Sequence, residues 1–268
     1  MLKDITLGQY FPGNSPIHRL DPRTKLIFLV IYIVALFVAK SWISYAVMLA
    51  FLVTAIKISA IPPKSILRGM KPLVMILVFT GVLNLFFTRD GKELVNIGNV
   101  IVITSGGLTR AVFMMARILM LITGTFLLTY TTSPISLTDG LEALLNPLKK
   151  VHVPVHELSM MMCIALRFIP TLIEETDKIM SAQKARGVDF ETGSLMERAK
   201  ALIPILVPLF IGAFRRADEL AMAMEARCYR GGMGRTRMKQ LKTTRVDLWG
   251  SLVTCLLAAV VAADHFLF

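Results

Sequence analysis

From Leu26 to Ile56 almost every residue is apolar. As one unbroken helix that stretch would be roughly 46 Å long at 1.5 Å per residue, well past a bilayer core of about 30 Å. Lys40, Ser41 and Trp42 break it. The pattern predicts two short membrane helices folded as a hairpin, with Lys40 and Trp42 at the turn. Asp21 and Pro22 open the first helix, because Asp accepts orphan amide protons as an N-cap and Pro suits the first helical position. Arg19, Arg23 and Lys25 then gather at its lower end.

Composition generalises this reading. At 55% hydrophobic and 18% charged, with a mean hydropathy of +0.65, the chain is more apolar than a soluble domain. Its net charge of +12 would send a soluble protein to nucleic acid. The apolar runs need lipid first, so the partners implied are a lipid bilayer and no nucleic acid. Cys163, Cys228 and Cys255 are too far apart for a paired metal or redox motif and too few for a disulfide framework. They read as reduced packing residues. The first 20 residues hold Asp4, Gly8, Pro12, Gly13, Asn14 and Pro16 and no apolar core of a signal peptide, so insertion through internal spans is expected.

A third span is expected from Pro72 to Thr88, a fourth from about Gly107 to Thr131 and a last from Leu248 to Phe268. The fold class is therefore an all-α integral membrane protein of about five transmembrane helices, supplemented by long amphipathic cytoplasmic helices. It divides into an N-terminal segment (1–25), a four-helix region (26–131), a basic region (132–247) and a C-terminal span (248–268). The region from Thr132 to Asp247 holds 17 of the 30 Lys and Arg. With an odd number of spans it shares one side with the N-terminus and with Lys57, Lys64, Arg68 and Lys71, a total of 25 basic residues. The opposite loops hold only Lys40, Arg89 and Lys92. The positive-inside rule then places the N-terminus and the basic region in the cytoplasm and the C-terminus outside. Arg110 and Arg117 fall within the fourth span; snorkelling accounts for the first and a buried partner for the second.

The basic region reads as three helices, too apolar for water and too charged at one end to span. Ser133–Pro134 starts a short one that stops near Asn146–Pro147. The second runs from about Val155 to Arg186, apolar from Leu158 to Ile173 and charged beyond (Glu174, Glu175, Asp177, Lys178, Lys184). The third, from about Leu195 to Arg230, repeats this design: Ala201 to Phe214 is apolar, and Arg215, Arg216, Asp218, Glu219 and Glu225 follow. Interior prolines, Pro170 in one and Pro204 and Pro208 in the other, are expected to bend them. Met160, Met161, Met162, Met222 and Met224 suit either an adaptable partner surface or the filling of irregular packing.

The two long helices end alike. One finishes Ala185-Arg186-Gly187, the other Ala226-Arg227-Cys228 with Gly231 and Gly232 close behind. A C-terminal cation is favoured by the helix dipole, which accounts for one such Arg without a partner. Two matched ends with small neighbours suggest more: a protruding guanidinium whose planar fork clamps a carboxylate or backbone carbonyls on an acidic cytoplasmic protein.

The remaining motifs exclude chemistry. Gly231, Gly232 and Gly234 lack the Lys-Ser/Thr that completes a phosphate loop, so no ATP hydrolysis is expected here. His152 and His156 lie four apart, but Pro154 between them argues against a metal site. No serine-hydrolase elbow and no cluster of carboxylates within a span is present, so no catalytic residue is assigned.

The run YFPGNSPIHRLDPRTKL, Tyr10 to Leu26, together with the paired Ala-Arg ends, resembles the T component of energy-coupling factor transporters, the EcfT or CbiQ family. The resemblance extends over essentially the whole chain. It departs at Cys228, where the family often has Gly. What it implies is a non-catalytic scaffold in the prokaryotic cell membrane for vitamin or micronutrient uptake. Its partners would be two ABC-type ATPases and a small membrane-embedded substrate-binding S component. ATP and Mg would be used by the ATPases, with no cofactor bound by this chain. Arg186 and Arg227, seated by Ala185, Gly187, Ala226 and Cys228, would dock the ATPases. Met160, Met161, Met162, Leu166, Ile169, Pro170, Leu206 and Leu209 would face the S component.

Two other readings stay open. A conventional ABC importer permease has one coupling loop, which Glu225, Ala226 and Gly231 fit in spacing; it predicts an extracytoplasmic binding protein as partner. A polytopic membrane enzyme with a basic cytoplasmic face predicts activity without ATPases.

Overall fold

The computed structural model describes residues 10–87, 93–97, 101–190, 192, 194–231 and 241–267. In chain order the elements are α1 (Pro22–Val38), α2 (Trp42–Ser59), α3 (Pro63–Met70), α4 (Val74–Phe87), β1 (Glu93–Ile97), β2 (Ile101–Thr104), α5 (Ser105–Thr131), α6 (Pro134–Leu145), α7 (Val155–Ala185), α8 (Leu195–Ala226) and α9 (Arg245–Leu267). The described residues divide into two compact units, one within 10–141 and 241–267, the other within 142–231.

The first unit is a helical bundle. The Asp21 carboxylate accepts the Arg23 amide at 2.9 Å with Pro22 in the first turn, the cap expected from the sequence. Ser41 caps α2 after the three-residue turn 39–41, which fixes the hairpin at Lys40. Tyr32, Leu36, Met48, Leu52, Met120, Leu257 and Val261, contributed by α1, α2, α5 and α9, form its main core. Close approach is built in at Gly124, where an added Cβ would lie 2.9 Å from the Tyr32 ring, and at Gly250, 2.8 Å from that of Phe28. Between apolar helices in lipid, such small residues let dispersion contacts form that a larger side chain would block.

Polar side chains clamp both ends of this bundle. At one end Asp247 accepts the Asp21 amide (2.8 Å) and the Thr24 hydroxyl (2.7 Å) with one oxygen and the Thr244 amide and hydroxyl (2.6 and 2.8 Å) with the other. Beside it the Lys25 ammonium donates to the Thr131 carbonyl, the Thr132 hydroxyl and the His18 carbonyl. At the other end Ser41 and Ser44 both donate to Asp264. Arg117 has the buried partners the sequence required. Its guanidinium donates to the Tyr45 hydroxyl (3.0 Å) and the Ala39 carbonyl (3.3 Å) and lies over the Phe37 and Tyr45 rings. Arg110 is exposed in the second turn of α5.

Three features differ from the sequence expectation. The third span is preceded by the eight-residue amphipathic α3, joined to α4 through a 3-10 turn at Lys71–Leu73. A two-stranded antiparallel ribbon, β1 with β2, stands between α4 and α5, the only sheet among the described residues. Five described helical segments are long and apolar enough to cross a membrane: Trp42–Ser59, Pro63–Phe87, Ser105–Thr131, Val155–Ala185 and Arg245–His265. That set contains α7 and omits the 17-residue α1. At about 26 Å, α1 still matches the lower limit for a span, whereas the charged second half of α7 does not suit hydrocarbon.

Candidate functional site

The second unit consists of the end of α6, a 3-10 turn at Asn146–Val151, and the helices α7 and α8. Ser194 and Glu197 start α8 with a reciprocal capping box, in which the Glu197 carboxylate accepts the Ser194 amide at 2.8 Å and the Ser194 hydroxyl accepts the Glu197 amide. Both helices continue through their prolines. Pro208 has no N–H to give to the carbonyl four residues back, that of Pro204. The Gln183 amide of α7 approaches this carbonyl at 3.4 Å, so a defect in one helix becomes a contact with the other. Two turns further along, Arg216 pairs with Glu175 at 2.5 Å. The Glu175 carboxylate sits over Gly212, where an added Cβ would meet its oxygen at 3.1 Å. Position 183 facing 204, and 175 facing 212 and 216, define an antiparallel pair.

The C-termini of α7 and α8 have the same backbone construction. At the first, the Gly187 amide bonds to the Lys184 carbonyl (3.0 Å) and the Val188 amide to the Gln183 carbonyl (3.1 Å). At the second, the Cys228 amide bonds to the Glu225 carbonyl (2.8 Å) and the Tyr229 amide to the Met224 carbonyl (3.0 Å). Each is a Schellman cap, with Arg186 or Arg227 as C-cap and the next residue in the left-handed region. Gly187 has φ 87° and Cys228 φ 55°. Cysteine thus adopts the conformation for which glycine is the usual choice, against a steric cost of about 1–2 kcal/mol. The departure in sequence at this position is not a departure in backbone.

Ala185, Arg186, Gly187, Ala226, Arg227 and Cys228 are all exposed, and the space a Cβ at Gly187 would take is open. Because the helices are antiparallel, these tips lie at opposite ends of the pair. Position 186 falls opposite about residue 201 of α8, and from there to Arg227 is on the order of 40 Å along the helix axis. One small partner surface does not reach both.

The residues expected at an apolar contact surface are less uniform. Met161 (54% exposed), Leu206 (48%) and Pro170 are exposed, while Met160, Met162, Leu166, Ile169 and Leu209 are half-buried. Sequence reasoning passed over the larger share of this surface, Ile203, Val207, Phe210, Ile211 and Phe214 on α8, which are all more than half exposed. Their signal was present in the apolar run from Ala201 to Phe214. The histidine pair does not converge: His156 Nδ1 meets Glu142 Oε1 at 3.2 Å, and His152 is the left-handed residue ending the 3-10 turn. Among the described residues no group of three or more His, Cys, Asp or Glu is placed to hold a metal ion.

A helical bundle with several segments long and apolar enough to cross a membrane, followed in the chain by two long helices with matched, exposed arginine tips, defines a multi-pass membrane protein. The family model described as cobalt transport protein, CbiQ, matches residues 13–239, and the chain belongs to that family. It is 56% identical over 266 residues to the energy-coupling factor transporter transmembrane protein EcfT of Thermosediminibacter oceani, covering 99% of this chain and 100% of the relative. The EcfT of Clostridium kluyveri is 54% identical over 97% of this chain and 96% of its own length. That of Bacillus subtilis is 49% identical over 92% and 93%. The protein is thus a multi-pass membrane component of the energy-coupling factor type of transporter.

Proposed function

We propose that this chain couples ATP hydrolysis by two separate ATPase subunits to a small membrane-embedded substrate-binding subunit, and performs no catalysis itself. The observation that carries the reading is the pair of identical caps presenting Arg186 and Arg227 at opposite ends of one antiparallel helix pair. Each guanidinium, rooted in a rigid turn between small residues, enters a groove on one ATPase and pairs with a carboxylate or carbonyls there. ATP and Mg are bound by those subunits. The exposed apolar side of α7 and α8, with Met161, Leu206 and Phe210, carries the substrate-binding subunit, and Glu175–Arg216 makes the two helices move together. The charge distribution supports a cytoplasmic N-terminus and cytoplasmic tips, with the C-terminus outside. Micronutrients or vitamins are the cargo class, with substrate identity held by the other membrane subunit.

Replacing Arg186 and Arg227 together with Ala is expected to abolish ATP-driven uptake in cells while membrane insertion and melting behaviour stay unchanged, because exposed tips contribute little to folding. Uptake at the wild-type rate would contradict the proposal. Isolation of the assembly from native membranes separates it from a permease: a small membrane subunit beside the ATPases agrees with it, and an extracytoplasmic binding protein does not.

A further inference from the structure

The first unit contains a cavity of about 330 Å³ between α1, α2, α5 and α9, at the end of the bundle where α1 and α9 begin. Leu20, Phe28, Phe51, Leu128, Trp249 and Val253 are among the residues that line it. The wall offers almost no hydrogen-bond donor. Thr54, Thr131 and Thr254 each turn their hydroxyl proton to a carbonyl of their own helix. The Lys25 ammonium at the cavity is engaged by three protein oxygens. A polar ligand entering here would lose its water contacts without replacement. Hydrocarbon would lose nothing, and it would restore the dispersion contacts that an empty space forfeits.

Three exposed cations stand in sequence next to lining residues: Arg19 beside Leu20, Lys57 beside Ile58 and Arg245 beside Val246. All three belong to the same end of the bundle, the start of α1, the end of α2 and the start of α9. Trp249 is 70% exposed at this end, the usual depth of an indole at the boundary of hydrocarbon and headgroups. An apolar slot at an end of the bundle that carries exposed Arg19, Lys57 and Arg245, and whose carboxylates Asp21 and Asp247 are buried, complements an anionic amphiphile. Since acyl chains are as apolar as the wall, burial alone gives no preference for one lipid over another. Selectivity must come from these cations.

We infer that this cavity is a binding site for one acyl chain of an anionic phospholipid from the adjoining leaflet, whose phosphate headgroup is held by Arg19, Lys57 and Arg245. The inference is independent of any role for Arg186 and Arg227.

The chain has only two tryptophans, Trp42 and Trp249, which allows a direct test. In the full-length Trp42→Phe protein, reconstituted in phosphatidylcholine discs, Trp249 fluorescence is titrated with phosphatidylglycerol or phosphatidylcholine carrying brominated acyl chains. Half-maximal quenching is expected at a mole fraction of the anionic lipid at least about fivefold lower than that of the zwitterionic one. The triple variant Arg19→Gln, Lys57→Gln, Arg245→Gln, which alters exposed side chains only, is expected to bring that ratio close to one. Ala55→Phe, which fills the cavity, is expected to weaken quenching by both lipids. Equal quenching by the two lipids in the parent protein, or a preference unchanged by the triple substitution, would overturn the inference. In either case ordinary annular lipid would account for the contact.

Discussion

The two units solve the problem of apolar helices in opposite ways. In the bundle, Tyr32, Leu36, Met48 and Val261 are almost fully buried and both ends are clamped by carboxylates that accept from other helices. In the α7–α8 pair, few residues are deeply buried, Phe210, Ile211 and Phe214 stay open, and the described contacts between the helices include one amide on an orphaned carbonyl and one ion pair. A bundle of the first kind holds its shape unaided. A pair of the second kind leaves its apolar surface open and its internal contacts few, which under the proposed function suits an element that shifts when a partner moves.

That contrast can be broken most severely in the bundle. Asp247→Ala removes the acceptor of the Asp21 and Thr244 amides and the Thr24 hydroxyl at a site 3% exposed. Leaving these donors unpaired is expected to cost about 3–5 kcal/mol, read as a large fall in the thermal midpoint of the purified protein. An unchanged midpoint would mean that the clamp is ornamental. The pair should respond differently. Glu175→Gln leaves a half-exposed site with a weaker contact, so the midpoint should move little, while coupled uptake is expected to fall about fivefold, equivalent to ~1 kcal/mol. A variant that melts early and still transports normally would reverse the roles assigned to the two regions. The smallest effect is expected at the second tip. Cys228→Gly relieves the left-handed cysteine and should stabilise the α8 cap by up to about 1 kcal/mol. Exchange of the Tyr229 amide, which bonds to Met224, is the readout, and it should slow by up to about fivefold.

Much of this was legible in the sequence where the signal is local. Asp21–Pro22, the break at Lys40, the limits of α7, the start of α8 and the repeated Ala-Arg tips each depend on neighbours within a turn or two, whereas α8 stops at Ala226 rather than near Arg230 because the left-handed Cys228 closes it. What was not legible depends on distance. Asp21 and Asp247 meet across 226 positions, and Gln183 finds the Pro204 carbonyl only because Pro208 vacates it; no periodicity marks either. The eight residues of α3 are too few for an isolated helix and form in the context of Tyr130, which packs with Ile66 in a separate cluster. Cys228 stands where the resemblance expects glycine, and it takes the same left-handed place in its Schellman cap as Gly187 does in the other.

The central claim is that Arg186 and Arg227 are what the ATPases hold. Its most direct test is the affinity of the purified ATPase pair for this protein in lipid discs, compared with the Arg186→Ala, Arg227→Ala variant of equal melting behaviour. The account predicts at least a hundredfold weaker binding, as expected when two central contacts are lost together. Binding within a factor of two of the unaltered protein would contradict it.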